Sequence, residues 1–283
     1  MQMQEEQYYT RITAKHNLFD LKLKEVWQYR DLILLFVKRN FTVSYKQTVL
    51  GPLWLFLNPL MTSIVYVILF GNIAKLSTDG VPQLLFYLTG NAFWNFFSVC
   101  LSNNANTFTG NAGLFGKVYF PRLVMPLSNV LSALLRFGIQ MLLVVVLLVY
   151  YLAAGVIHPH WAAWIAIPFV LLQTGLLGMG FGVIVSSMTT KYRDLNVLVS
   201  FGISLWMYAT PVVYPLSTIS GSLRKLLIMN PVTAPIELFR YAVLGSGTIL
   251  VPCLLISLVV TLAVVLLGIM IFNKVERTFM DTV

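Results

Sequence analysis

A chain of 283 residues that is 58% hydrophobic and only 10% charged, with a mean hydropathy of +0.81, lies outside the range of soluble globular domains and reads as an integral membrane protein. Its formal charge of +9 sits on basic residues that cluster at predicted ends of spans, where anionic lipid and topology account for them, so nucleic acid is set aside as a partner. Only Cys100 and Cys253 are present, each inside an apolar stretch, which leaves neither a disulfide framework nor metal-ligand spacing.

In chain order, residues 1–50 form a polar, basic segment without the pattern of a cleavable signal, so the first span itself directs insertion. Within it, Phe19, Leu23, Val26, Trp27 and Arg30 recur at helical spacing, and Asp20 precedes Lys24 by one turn. This predicts an interfacial helix over 18–31 on the inner membrane surface, while 1–12 reads as a solvated tail. Residues 51–283 then form an all-α membrane domain. Apolar runs of roughly 20 residues, enough to cross about 30 Å of hydrocarbon, predict six spans near 52–74, 84–106, 130–156, 161–188, 196–215 and 248–272. The second carries Asn91, Asn95, Ser98, Ser102, Asn103 and Asn104, which suits a helix facing protein or water rather than lipid.

Sorting the basic residues by side tests this topology. Arg11, Lys15, Lys22, Lys24, Arg30, Lys38, Arg39, Lys46, Lys117, Arg122, Arg136, Lys191, Arg193, Lys274 and Arg277 fall on the cytoplasmic side, and only Lys75, Arg224, Lys225 and Arg240 fall outside. Both termini are therefore expected in the cytoplasm. The outer segment 216–247 is apolar yet broken by Gly221, Asn230-Pro231 and Pro235, and so predicts two short re-entrant helices or an amphipathic surface hairpin. Glu237 and Arg240 lie three apart, where a helix lets them pair.

None of the six spans contains Asp or Glu, the groups that carry protons or cations in ion-coupled transporters, so an uphill pump must draw its energy elsewhere. His158 and His160 flank Pro159 in a short outer loop without a ligand partner in sequence. The stretch Gly110 to Val118, GNAGLFGKV, imitates a phosphate-binding loop but has one residue too many between its glycines and lacks the hydroxyl that would hold magnesium.

Two cytoplasmic connections concentrate helix-ending and basic residues. The first runs from Lys117 through Tyr119, Phe120, Pro121 and Arg122 to Pro126, and predicts a short helix across the cytoplasmic face. The second is Lys191, Tyr192, Arg193 and Asp194, with Asp194 placed to cap the fifth span. Taken alone, both loops are equally compatible with simple stop signals. Aromatic and amide residues that could line a water-filled path are Tyr66, Phe70, Phe86, Tyr87, Asn91, Phe93, Trp94, Asn95, Phe97, Asn104 and Tyr208. Gly178, Gly182 and Ser186, one turn apart, permit close helix approach.

The series Y-K-Q-T-x-L-G-x-L-W from Tyr45 to Trp54, then Y-F-P-R at 119–122, then Y-R-D-L at 192–195, occurring in order between predicted spans, resembles the membrane subunit of ABC-2 type exporters. That group moves lipid-linked O-antigen, capsule or teichoic acid across the bacterial inner membrane. The resemblance covers the chain from about residue 18 to the end and implies a homodimer with two copies of a separate ATPase subunit, which holds ATP and magnesium; this chain then carries no cofactor and is not itself an enzyme. It implies that Tyr119, Phe120, Pro121 and Arg122, with Lys191, Tyr192, Arg193 and Asp194, contact the ATPase. It implies a gate at Arg39, Tyr45, Lys46, Gln47 and Trp54, and outer gate helices that include Glu237 and Arg240. A drug or haem permease of the same family is the alternative.

Overall fold

The computed structural model describes residues 23–115, 120–189 and 194–282. Arg11, Lys15, Phe19, Asp20, Lys22, Lys117, Tyr119, Lys191, Tyr192 and Arg193 lie outside the described residues. Among those described, every regular element is helical, with five helices long and apolar enough to cross a membrane.

The first helical stretch breaks at Tyr29 into α1 (Leu23–Gln28) and α2 (Arg30–Tyr45), so it runs well past the predicted end at residue 31. Val26, Ile33 and Phe36 are buried with Phe115, Phe120 and Phe272, whereas Trp27, Leu34 and Leu35 point away from the rest of the chain. One apolar side therefore docks on the bundle, and the other is left for a lipid surface.

The first span is composite: a 3-10 turn (Gly51–Leu53), α3 (Trp54–Tyr66) and a π-helical turn (Val67–Ile73). Pro59 inside α3 removes one intrahelical hydrogen bond. The next helices are α4 (Gln83–Ala105), α5 (Thr107–Phe115), kinked at Asn111, and α6 (Val124–Ala153). A 3-10 turn (Trp161–Ala166) leads into α7 (Ile167–Thr189).

Helices α4 and α7 form the centre. Of the most apolar 18-residue window of each helix, 78% is buried in α4 and 61% in the Trp161–Thr189 run, against 17% in the first and last spans. The asparagines of α4 thus belong to a helix surrounded by protein, as their polarity predicts. The small-residue stripe makes this pairing close: a Cβ added to Gly178 would lie 2.8 Å from Cys100 Cβ, and one on Gly182 2.6 Å from the Leu101 carbonyl. The stripe therefore serves packing within the chain.

The predicted fifth span is helical only over α8 (Leu195–Tyr208), 14 residues, or about 21 Å at 1.5 Å per residue. Pro211 and Pro215 follow and stop it. Asp194 takes the N-cap position but makes no side-chain cap bond, contrary to expectation; only its carbonyl accepts, from the Val197 N–H. A 3-10 turn (Leu216–Thr218), α9 (Gly221–Met229) and α10 (Thr233–Leu244) occupy the predicted outer segment as two short helices, before the long α11 (Val251–Thr282).

Candidate functional site

Polar chemistry collects at the two ends of the bundle. At the end away from the basic loops, α10 presents Glu237 and Arg240 inward, both about 1% exposed, and the pair forms with 3.7 Å between Arg240 Nη1 and Glu237 Oε1. Arg240 also donates to the Pro211 and Val212 carbonyls, which the end of α8 leaves without helical partners, and lies 3.9 Å over the Phe86 ring. Glu237 Oε2 accepts from the Thr248 N–H at 3.2 Å. Gly90 makes room for the guanidinium, because a Cβ there would collide with it and with the Val212 carbonyl. Burial pushes the Glu237 carboxyl up, against the opposing pull of Arg240, and pushes Arg240 down to about 10.

Two further ties hold this end. Asp79, in a left-handed conformation (φ 53), accepts from Ser217 Oγ at 2.8 Å through both oxygens. Asn230 donates to Thr210 Oγ1 and the Ala209 carbonyl, both at 2.8 Å, and accepts from Trp206 Nε1 at 3.2 Å. Sequence patterning alone does not single out Trp206 or Asn230, and marks Asn230-Pro231 only as a chain break.

At the basic end a polar cavity of about 440 Å³ opens between α2, the end of α4, α5 and α6. Arg39, Asn40 and Ser44 line it from α2, Asn103 and Asn106 from the end of α4, Asn111 from α5, and Asn129 and Arg136 from α6. A smaller cavity of about 140 Å³ shares Arg136 and reaches deeper among Tyr45, Trp54, Asn58, Asn95 and Gln140. Arg136 Nη2 donates to Ser44 Oγ at 2.6 Å, and its guanidinium lies 5.9 Å from the Tyr45 ring centre. Burial raises the Tyr45 phenol, with Arg136 pulling the other way. Asn129 donates at 3.3 Å to Asn104 Oδ1, which fixes the cavity wall.

Of the predicted gate residues, the structure brings Arg39, Tyr45 and Trp54 to these two cavities, whereas Lys46 and Gln47 lie exposed in the turn after α2, Gln47 with φ 66. The predicted channel residues separate. Phe86, Tyr87, Asn91, Phe93, Trp94, Phe97 and Asn104 are buried against neighbouring helices within the chain. Trp94 and Phe97 instead enclose the Trp206 ring. Tyr66, Phe70 and Asn95 are half-buried, and Tyr208 is exposed. Tyr66 donates to Met207 Sδ at 3.4 Å.

At the predicted cytoplasmic contacts, the short helix expected across this face is not formed by the described residues of the Y-F-P-R stretch. The short helix α5 precedes the Y-F-P-R stretch and does not contain its described part, which leads into α6 through a turn closed by the Val124 N–H on the Pro121 carbonyl. Phe120 is 5% exposed, 5.9 Å from the Phe36 ring, and Pro121 is buried as well. Arg122 is half-buried and lies 5.5 Å from the centre of the Phe115 ring.

Residues 31–244 match the family model described as ABC-2 type transporter. The chain is 33% identical over 216 residues to the O-antigen export system permease protein RfbA of Myxococcus xanthus, covering 75% of this chain and 80% of that protein. It is 28% identical over 255 residues to a protein of the same name from Klebsiella pneumoniae, covering 89% and 94%, and 28% identical over 251 residues to a second from that organism, with the same coverage.

Proposed function

The chain belongs to the ABC-2 type transporter family, and on that premise we propose that it is the membrane-spanning subunit of an ATP-driven exporter of lipid-linked, O-antigen-like polysaccharide. The observation that carries the reading is the likeness to O-antigen export permeases over 75 to 89% of this chain and 80 to 94% of theirs. In this reading ATP and magnesium are held by a separate ATPase subunit, two copies of which serve a homodimer of this chain in the bacterial inner membrane, with both chain termini cytoplasmic. The basic-residue distribution supports that orientation.

The fold suggests how force travels. The Y-F-P-R segment is anchored through Phe120 to Phe36 of α2 and leads directly into α6. A push delivered at Arg122 by the ATPase, with a second contact at 191–194, would then move α2 and α6 together. These two helices flank the cavity at Arg136, so ATP-driven motion would reshape it. The opposite end, held by Arg240 and Asp79, would act as the outer gate and yield when the polymer passes. A long hydrated polymer needs a water-filled path, with its lipid anchor left in hydrocarbon. We infer that Tyr208 and the half-buried Tyr66, Phe70 and Asn95 contribute to such a path between two copies.

Deleting the gene in its host and following surface and intracellular lipid-linked polysaccharide tests the reading. Loss of surface polymer with accumulation of the lipid-linked form inside, both reversed by the wild-type gene, is expected. Intact surface polymer would favour a small-substrate or teichoic acid permease.

A further inference from the structure

We propose that the two cavities sharing Arg136 are a reception site for the phosphate-linked sugar at the head of a lipid, the phosphate lying against Arg39 and Arg136 and the sugar among the amides. The inference deepens the export reading and rests on it. Arg136 lies within a helix long and apolar enough to cross a membrane, where an ionised side chain is costly unless a partner compensates it. Among the described residues neither Arg136 nor Arg39 has a carboxylate partner: Arg136 donates to Ser44 Oγ, and Arg39 to Asn40 Oδ1 at 3.2 Å. Two guanidinium groups thus face one cavity with no carboxylate among the described residues, Arg39 lying 4.8 Å from the Phe36 ring centre and Arg136 5.9 Å from that of Tyr45, and a phosphate is the anion whose geometry suits such a fork.

The remaining lining selects among anions. Amide side chains donate and accept at once, which matches sugar hydroxyls and gives a plain phosphate nothing extra. Asn103 offers this near the arginines, Asn106 and Asn129 add their amide oxygens while their nitrogens donate within the chain, and Asn95 and Gln140 continue the amide lining into the deeper cavity. Trp54, 40% exposed at the rim of that cavity, offers a ring face. The surroundings point to a lipid-borne ligand. Val43 lines the cavity yet is 72% exposed, and Leu34, Leu35, Leu131 and Leu135 leave apolar surface on the two flanking helices. A head group can therefore enter here while its tail stays in the bilayer.

The test is equilibrium binding of farnesyl-diphosphate-linked N-acetylglucosamine to the complex with its ATPase in lipid nanodiscs. The double variant Arg39→Gln/Arg136→Gln is expected to bind at least about tenfold more weakly, since each lost charge-assisted hydrogen bond alone accounts for about that factor. Asn129→Asp, which places a carboxylate beside the arginines without removing them, is expected to weaken binding as well, and Lys225→Gln, on α9 at the far end, to leave it unchanged. Unchanged binding in both cavity variants overturns the site. Equal affinity for UDP-N-acetylglucosamine overturns the lipid-borne ligand, and equal competition by phosphatidylglycerol vesicles overturns the sugar. Because the probe is too short to be an export substrate, its binding is read independently of polymer transport: a cavity that binds it in a complex that exports no polysaccharide would sink the export reading and leave the site.

Discussion

Arg240 and Arg136 are both arginines in an apolar chain, yet their surroundings differ in a way that separates structure from function. Arg240 has an acid at 3.7 Å, two carbonyl acceptors and an aromatic face, so its charge is answered within the chain even though its Nε has no hydrogen-bond partner. Arg136 has one hydroxyl partner and the Tyr45 ring at 5.9 Å, has no carboxylate partner among the described residues, and faces a cavity. The first group holds a fold together. The second is poised for something the chain does not itself contain.

The largest effect that would break this contrast is at the clamp. Arg240→Ala is expected to cost about 3–5 kcal/mol, because it leaves Glu237 buried and unpaired. Thermal unfolding of the detergent-solubilised protein, with Arg240→Ala/Glu237→Gln as partial rescue, checks it; a small loss would mean that water reaches the pair. Gly90→Ala should cost about 1–3 kcal/mol in the same assay, since its methyl group competes with the guanidinium for space. Arg136→Gln should shift stability by no more than about 1 kcal/mol, one modest hydrogen bond, while abolishing export. An Arg136 variant that unfolds like an Arg240 variant would erase the distinction.

The smallest effect is on pH dependence. Burial raises the folded-state carboxyl of Glu237 above its ordinary value of 4.5, so the folded protein holds that proton more tightly than the unfolded one. Its contribution to stability is therefore present below pH 4.5 and is lost as pH rises through the raised value. Wild type should gain stability relative to Glu237→Gln as pH falls toward 4.5, and parallel curves would contradict the assignment.

Much of the architecture was legible in the chain. The amides of the second span announced a helix facing protein or water rather than lipid, and α4 is surrounded by protein. The spacing of Glu237 and Arg240 announced their pair, because i and i+3 are neighbours on any helix. What sequence could not give was which side chains meet across elements. Arg136 counted among the cytoplasmic charges, and only the fold brings it to Ser44 of α2 and to the cavity lined by Asn95 of α4. The burial of Phe120 depends likewise on Phe36, from a helix whose predicted end fell short of it. The aromatic residues of α4 show how little residue type says about placement: their type suits a channel wall, and their position on the central helix buries them within the chain.

The central claim is tested most directly by purifying this chain with its ATPase, reconstituting the complex in lipid, and measuring ATP hydrolysis with and without lipid-linked O-polysaccharide. The account predicts a stable assembly of two copies of each chain whose hydrolysis rises with that polymer, and does not rise when Arg39 and Arg136 are both glutamine. Hydrolysis indifferent to the polysaccharide but stimulated by a small amphipathic drug or haem would contradict it.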